Sequence, residues 1–117
     1  MRKVRISRKK WLRGGVPAWM CDANGKMCCL GFAANQISRI SKNAMYMNYE
    51  PSQIYEKKSF LVDFISTEDL HHSEIVNNHF TNKAIAINDD IGITDSERED
   101  RLTKLFAKNG IKLEFVD

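Results

Sequence analysis

The sequence predicts an α+β domain, and three observations carry that prediction. Alternating polar and apolar residues mark a strand at each end of the chain, helical spacing fills the stretches between them, and no repeat or linker divides the 117 residues. A chain of this length fits one domain spanning residues 1–117, and it buries enough surface for a core without staples or metals.

At the N-terminus, Lys3-Val4-Arg5-Ile6-Ser7 alternates as a half-buried strand does. Gly14-Gly15 and Pro17 then break the chain. Trp19-Met20-Cys21 and Lys26-Met27-Cys28 flank Asp22-Ala23-Asn24-Gly25, and Asn-Gly between apolar runs predicts a β-hairpin. From Cys29 the period changes. Leu30, Ala33, Ala34, Ile37 and Ile40 recur at three and four, which predicts an amphipathic helix. Gly31 lies in its first turn, where a missing side chain permits close approach of backbone or ligand.

In the middle, Pro51 is expected to open a short helix through Ile54 and Tyr55, and Phe60–Ile65 reads as a buried run. Around Phe80, Ala84 and Ile87 the spacing favours a helix, although Ala84-Ile85-Ala86-Ile87 also alternates like a strand. The last third is less equivocal. Thr94 and Glu97 form a Thr-x-x-Glu capping box, Leu102, Leu105 and Phe106 make the buried stripe, and Gly110 is the expected stop. Ile111, Leu113 and Phe115 then alternate with Lys112, Glu114 and Val116 as a closing strand.

Composition narrows the function classes. A hydrophobic share of 43% with 28% charged residues is that of an ordinary globular protein, and no apolar run approaches the ~18 residues of a membrane span. The charged N-terminus has no apolar stretch behind it, so no secretory signal is expected. Three cysteines, two of them adjacent, argue against a disulfide framework and for thiols kept in a reducing cytosol. The net charge of +3 is unevenly spread. Seven cations fall in the first thirteen residues with no acid before Asp22, leaving eleven cations against fifteen acids in the remainder. A basic arm on an acidic body suits an anionic partner, or a surface complementary to the body itself.

Each reactive grouping has a plainer alternative. Cys21, Cys28, Cys29, His71, His72 and His79 offer metal ligands, but zinc-site spacing is absent, so no metal is expected. Cys29 at a helix start has the position of an activated thiol, yet no cysteine-hydrolase signature accompanies it, and a buried core cysteine is the simpler reading. No catalytic residue is therefore assigned, and no cofactor. Asn88-Asp89-Asp90 is the densest polar cluster. It reads either as a Mg²⁺ site or as a capping loop between helices, with the capping loop favoured. The basic arm with Trp11 and Trp19 suits nucleic acid, or, condensed into a pocket, a single nucleotide held by arginine forks and an aromatic plane.

The run Asn24-Gly25-Lys26-Met27-Cys28-Cys29-Leu30-Gly31-Phe32 resembles the Gly-x-x-Cys-Cys-Leu-Gly signature of a set of small phage and prophage proteins, whose downstream Asn-Asp pair matches Asn88-Asp89. Arg5-Ile6, Lys10-Trp11, Arg13-Gly14, Asp90, Glu97-Arg98-Glu99, Leu105-Phe106, Gly110-Ile111 and Glu114-Phe115 extend the resemblance to both ends, leaving residues 43–78 without support. The resemblance implies a phage-encoded accessory protein in the cytoplasm of an infected bacterium. By analogy with counter-defence sponges, the expectation is an oligomeric, non-enzymatic protein that sequesters a small cyclic or phosphorylated nucleotide signal. In that reading Arg13 or Arg5 holds phosphate and Trp11 stacks on the base. Asn88 and Asp89, with Asp90 beside them, bond the ribose or base. The alternatives are a protein-binding inhibitor of a host enzyme, acting through the basic arm or the Glu97–Lys104 face, and a nucleic-acid binder.

Overall fold

The two ends of the chain pair with each other. In a computed structural model that describes residues 2–15, 20–37, 39–46 and 73–117, β1 (Arg2–Ser7) lies parallel to β2 (Ile111–Val116). The register runs from Arg2 opposite Ile111 to Ser7 opposite Val116. Parallel neighbours require a crossover of a dozen residues or more, and here nearly the whole chain supplies it. The alternation read from the sequence sets the faces. Val4, Ile6, Ile111 and Leu113 are buried, while Lys3, Arg5 and Lys112 point to solvent.

Four α-helices are described between the strands: α1 (Cys29–Ile37), the short α2 (Lys42–Met45), α3 (Ser73–Asp89) and α4 (Asp95–Lys108). α1 packs on β1 and α4 on β2, while α3 touches both α1 and α4. Phe80 of α3 meets Phe106 of α4 edge-on, ring centroids 5.1 Å apart, inside the core. This is the α+β architecture expected, and no described helix is long and apolar enough to cross a membrane. Trp19, the Pro51–Tyr55 and Phe60–Ile65 segments, His71, His72 and the His79 side chain lie outside the described residues.

The expected hairpin is corrected to a tight turn. Asp22 N donates to Lys26 O at 2.8 Å, Asp22 Oδ1 accepts from Asn24 N and Lys26 N, and Gly25 takes φ 77°, the left-handed region where a Cβ is costly. The flanks then part instead of pairing. Met27 bridges to Trp11, with Leu12 N donating to Met27 O at 2.8 Å, and Cys21 bridges to Tyr46. The segment after β1 captures the backbone that a hairpin ladder would need.

The capping box is also half of what was expected. Thr94 Oγ1 accepts from Glu97 N at 3.1 Å, but the Glu97 carboxylate takes Arg101 at 2.9 Å. Gly31 has a packing reason, since a Cβ there would collide with the Met20 carbonyl oxygen. The close approach its position suggested is thus to backbone.

Candidate functional site

The polar side chains gather in two places: a buried hub at the end of α3, and an open cleft beside β1. The hub centres on Asn88, which is 1% exposed. Its Oδ1 accepts from the indole Nε1 of Trp11 at 2.8 Å and from Cys29 N at 3.1 Å. Its Nδ2 donates to Leu12 O at 2.9 Å and to Asp89 Oδ1 at 3.0 Å. A carboxamide has two donor hydrogens and an oxygen with two lone pairs, so this side chain is fully used. It caps the first turn of α1 from 59 residues away, satisfying an amide that the helix itself leaves orphaned.

Arg98, 3% exposed, completes the hub from α4. Its Nη1 donates to the carbonyls of Ile87 (2.9 Å), Asn88 (3.1 Å) and Asp90 (2.6 Å), and its Nη2 to Ile93 O at 3.3 Å. A guanidinium at the C-terminal end of α3 also complements the helix dipole. Gly14 N donates to Asn88 O at 2.8 Å, tying the segment after β1 to the same point.

Among the residues singled out from the sequence, Trp11, Arg13, Asn88, Asp89 and Asp90 come together here. Trp11 is 4% exposed, with Arg13 Cζ 4.6 Å from its ring centroid and the Phe115 ring 5.0 Å away. Arg13 Nη1 donates to the carbonyls of Arg8 and Trp11, and its Nη2 lies 3.2 Å from Asp95. Asp90 Oδ1 accepts from Gly92 N at 2.7 Å, closing the α3–α4 loop. Burial pushes the Asp89 carboxyl above its usual range, against the pull of the Asn88 amide and the Arg98 charge. Arg5 stands apart. Its side chain is 68% exposed, with Nε 3.7 Å from Glu114.

The adjacent thiols face the core. Burial pushes Cys28 up to about 12 and Cys29 well above the ordinary thiol range, with the Asp89 charge adding to both. A thiol held protonated is a poor nucleophile and a poor ligand. Among the described residues no group of three His, Cys, Asp or Glu side chains is placed to hold a metal.

The cleft has different chemistry. It is an open concavity of about 460 Å³ lined by Arg2, Lys3, Gln36 and Ile37. On the adjoining face of the sheet, Lys3 and Arg5 share one acid, Glu114, and Lys112 sits opposite Lys3. Gln36 fixes one wall of the cleft, because its carboxamide accepts from Arg5 N at 2.8 Å and donates to Arg5 O at 2.6 Å.

The sequence assigns no site role to Arg98 or Gln36. Arg98 had a visible signal: it lies four residues before Leu102 on the stripe that α4 buries, and an arginine there must find partners. Gln36 had none, since an exposed glutamine near a helix end is unremarkable. Comparison of the chain with protein-family models, with curated proteins and with solved structures finds no match.

Proposed function

We propose that this chain binds a small phosphorylated nucleotide without cleaving it, and that the ligand sits in the cleft beside β1. The observation that carries the reading is the cleft itself: about 460 Å³, within the size range of small-molecule sites, with two cations among its four lining residues. Arginine is suited to phosphate because its planar fork meets two oxygens at once. The buried, protonated cysteines support a binding role over nucleophilic chemistry.

This moves the contact surface expected from the sequence. Trp11 and Asn88 spend their polar atoms on the fold, Arg13 gives its two terminal nitrogens to the Arg8 and Trp11 carbonyls and to Asp95, and of the residues expected from the sequence only Arg5 adjoins the cleft, through the Gln36 carboxamide. The phage context and the sequestering of an immune signal rest on the resemblance of the Cys-Cys-Leu-Gly and Asn-Asp segments. A second copy of the chain belongs to the same proposal, because an open cleft covers too little of a nucleotide by itself.

Isothermal titration of the purified chain against cyclic nucleotides and ADP-ribose derivatives tests the reading. Dissociation constants below roughly 10 μM are expected, since a weaker sponge cannot compete with a sensor. Uniform failure to reach that affinity sinks it. Binding to a protein partner is favoured by a different observation: Ile91 stands 80% exposed on a loop that Arg98 holds by its carbonyls. A stoichiometric host protein retained by the wild type and lost with Ile91→Asp is the result expected of that second reading.

A further inference from the structure

The inference rests on the nucleotide-binding reading and concerns how the cleft recognises the base. In a parallel pair, a residue's N–H and C=O leave the strand on the same side, and successive residues alternate sides. Arg2 N donates to Gly110 O at 3.1 Å, so Arg2, Val4 and Ile6 turn their main-chain groups toward β2. Lys3, Arg5 and Ser7 therefore turn theirs to the free edge.

At Arg5 that edge is already occupied. The Gln36 carboxamide meets Arg5 N–H with its oxygen and Arg5 C=O with its nitrogen, at 2.8 and 2.6 Å. A side-chain amide thus stands where a neighbouring strand would stand. Two residues back, about 6.6 Å along the strand, Lys3 presents the same donor and acceptor. Neither has a partner among the described residues, and Lys3 lines the cleft. Arg2 lines it too, with no ion pair among the described residues, whereas the Lys3 ammonium is engaged by Glu114 at 3.0 Å.

We infer that the main-chain N–H and C=O of Lys3 read the Watson–Crick edge of a nucleobase, with Arg2 on its phosphate. The edge of a base sets a donor beside an acceptor, as a carboxamide does: N6–H and N1 of adenine, N3–H and O4 of uracil. Gln36 on Arg5 is the internal precedent for that geometry. A single open pair also fits a base better than a peptide, because an added strand gains its affinity from a run of main-chain bonds.

Amide NMR spectra of the full ¹⁵N-labelled chain, titrated with AMP, purine riboside 5′-monophosphate and ribose 5-phosphate, test this. With AMP the Lys3 amide proton is expected to move downfield as its bond forms, while the Arg5 amide, already bonded to Gln36, stays. The purine riboside phosphate lacks the N6 donor and should bind roughly tenfold more weakly, because Lys3 C=O is left unpaired. Arg2→Ala should weaken AMP while leaving the melting temperature unchanged. Equal binding of AMP and ribose 5-phosphate with a silent Lys3 amide overturns the base contact and leaves the phosphate-binding cleft standing. AMP binding that shifts the Trp11 indole instead of Lys3 overturns the location. No binding by any of the three overturns the base contact, and the nucleotide-binding reading is then decided by the titration with cyclic nucleotides and ADP-ribose derivatives.

Discussion

Asn88 shows how one side chain can decide a local structure. It joins three separate segments by four hydrogen bonds, and two of its partners, Trp11 Nε1 and Cys29 N, are buried donors. Asn88→Ala strands both, at about 1–3 kcal/mol each, so a loss of about 3 kcal/mol or more is expected in urea unfolding. Asn88→Asp keeps the acceptor but removes the bond to Leu12 O and buries a charge, and it should be no better tolerated. An unchanged midpoint for either variant would contradict the hub. Asp89 next to it behaves oppositely. Its folded-state carboxyl titrates above the ordinary value of 3.8, so the folded form holds the proton more tightly than the unfolded chain. The associated stability is full below about pH 3.8 and is lost as pH rises through the folded value. Asp89→Asn should therefore flatten the melting-temperature profile over that acidic window and melt no lower than the wild type at pH 7. A steeper profile would show that the charge is favourably held. Asn88, Asp89 and Asp90 are visible in the sequence as an unusual polar cluster, whereas their joining to Trp11, Cys29 and Arg98 is not. Their inward direction is not visible there either, because a run of Asn and Asp is equally at home in a solvated loop.

Among the elements, those fixed by local chemistry were the legible ones. α4 begins at Thr94 because its hydroxyl takes the Glu97 amide, and it ends before Gly110 at φ 78°. Thr94→Ala should cost roughly 1 kcal/mol, and an unaltered stability would mean that the hydroxyl bond contributes nothing. α1 followed from its three-and-four spacing, but its first turn depends on distant residues. Asn88 caps it, and the Met20 backbone presses on Gly31. Gly31→Ala should destabilise the chain by about 1–3 kcal/mol or more, well beyond the small gain that alanine brings to a helix interior. α3 was ambiguous because four alternating residues satisfy both periods. Among the described residues, the flanks of the Asp22–Gly25 turn form no hairpin ladder for a related reason. Turn chemistry specifies where the backbone reverses, whereas the pairing of Met27 with Trp11 is settled by a segment sixteen residues earlier.

At the scale of the whole molecule, the informative fact is the direction of the sheet. Both strands were readable by alternation, but alternation carries no information about which strands meet or in which sense. Here the sense follows from α4. It runs back along the domain, Asn109 and Gly110 reverse the chain in two residues, and β2 returns beside β1 in the same direction. Parallel register sets Ile6 opposite Phe115 and Arg2 opposite Ile111. An antiparallel sheet centred on the same Val4–Leu113 pair would instead set Ile6 opposite Ile111. Double-mutant cycles separate the two. Truncating Ile6 and Phe115 together should show a coupling of at least about 0.5 kcal/mol, as contacting residues do. Ile6 and Ile111 stand about 13 Å apart along the strands, four residues out of register. Their alanine variants should add within roughly 0.5 kcal/mol. The reverse pattern of couplings would require the strands to run in opposite senses.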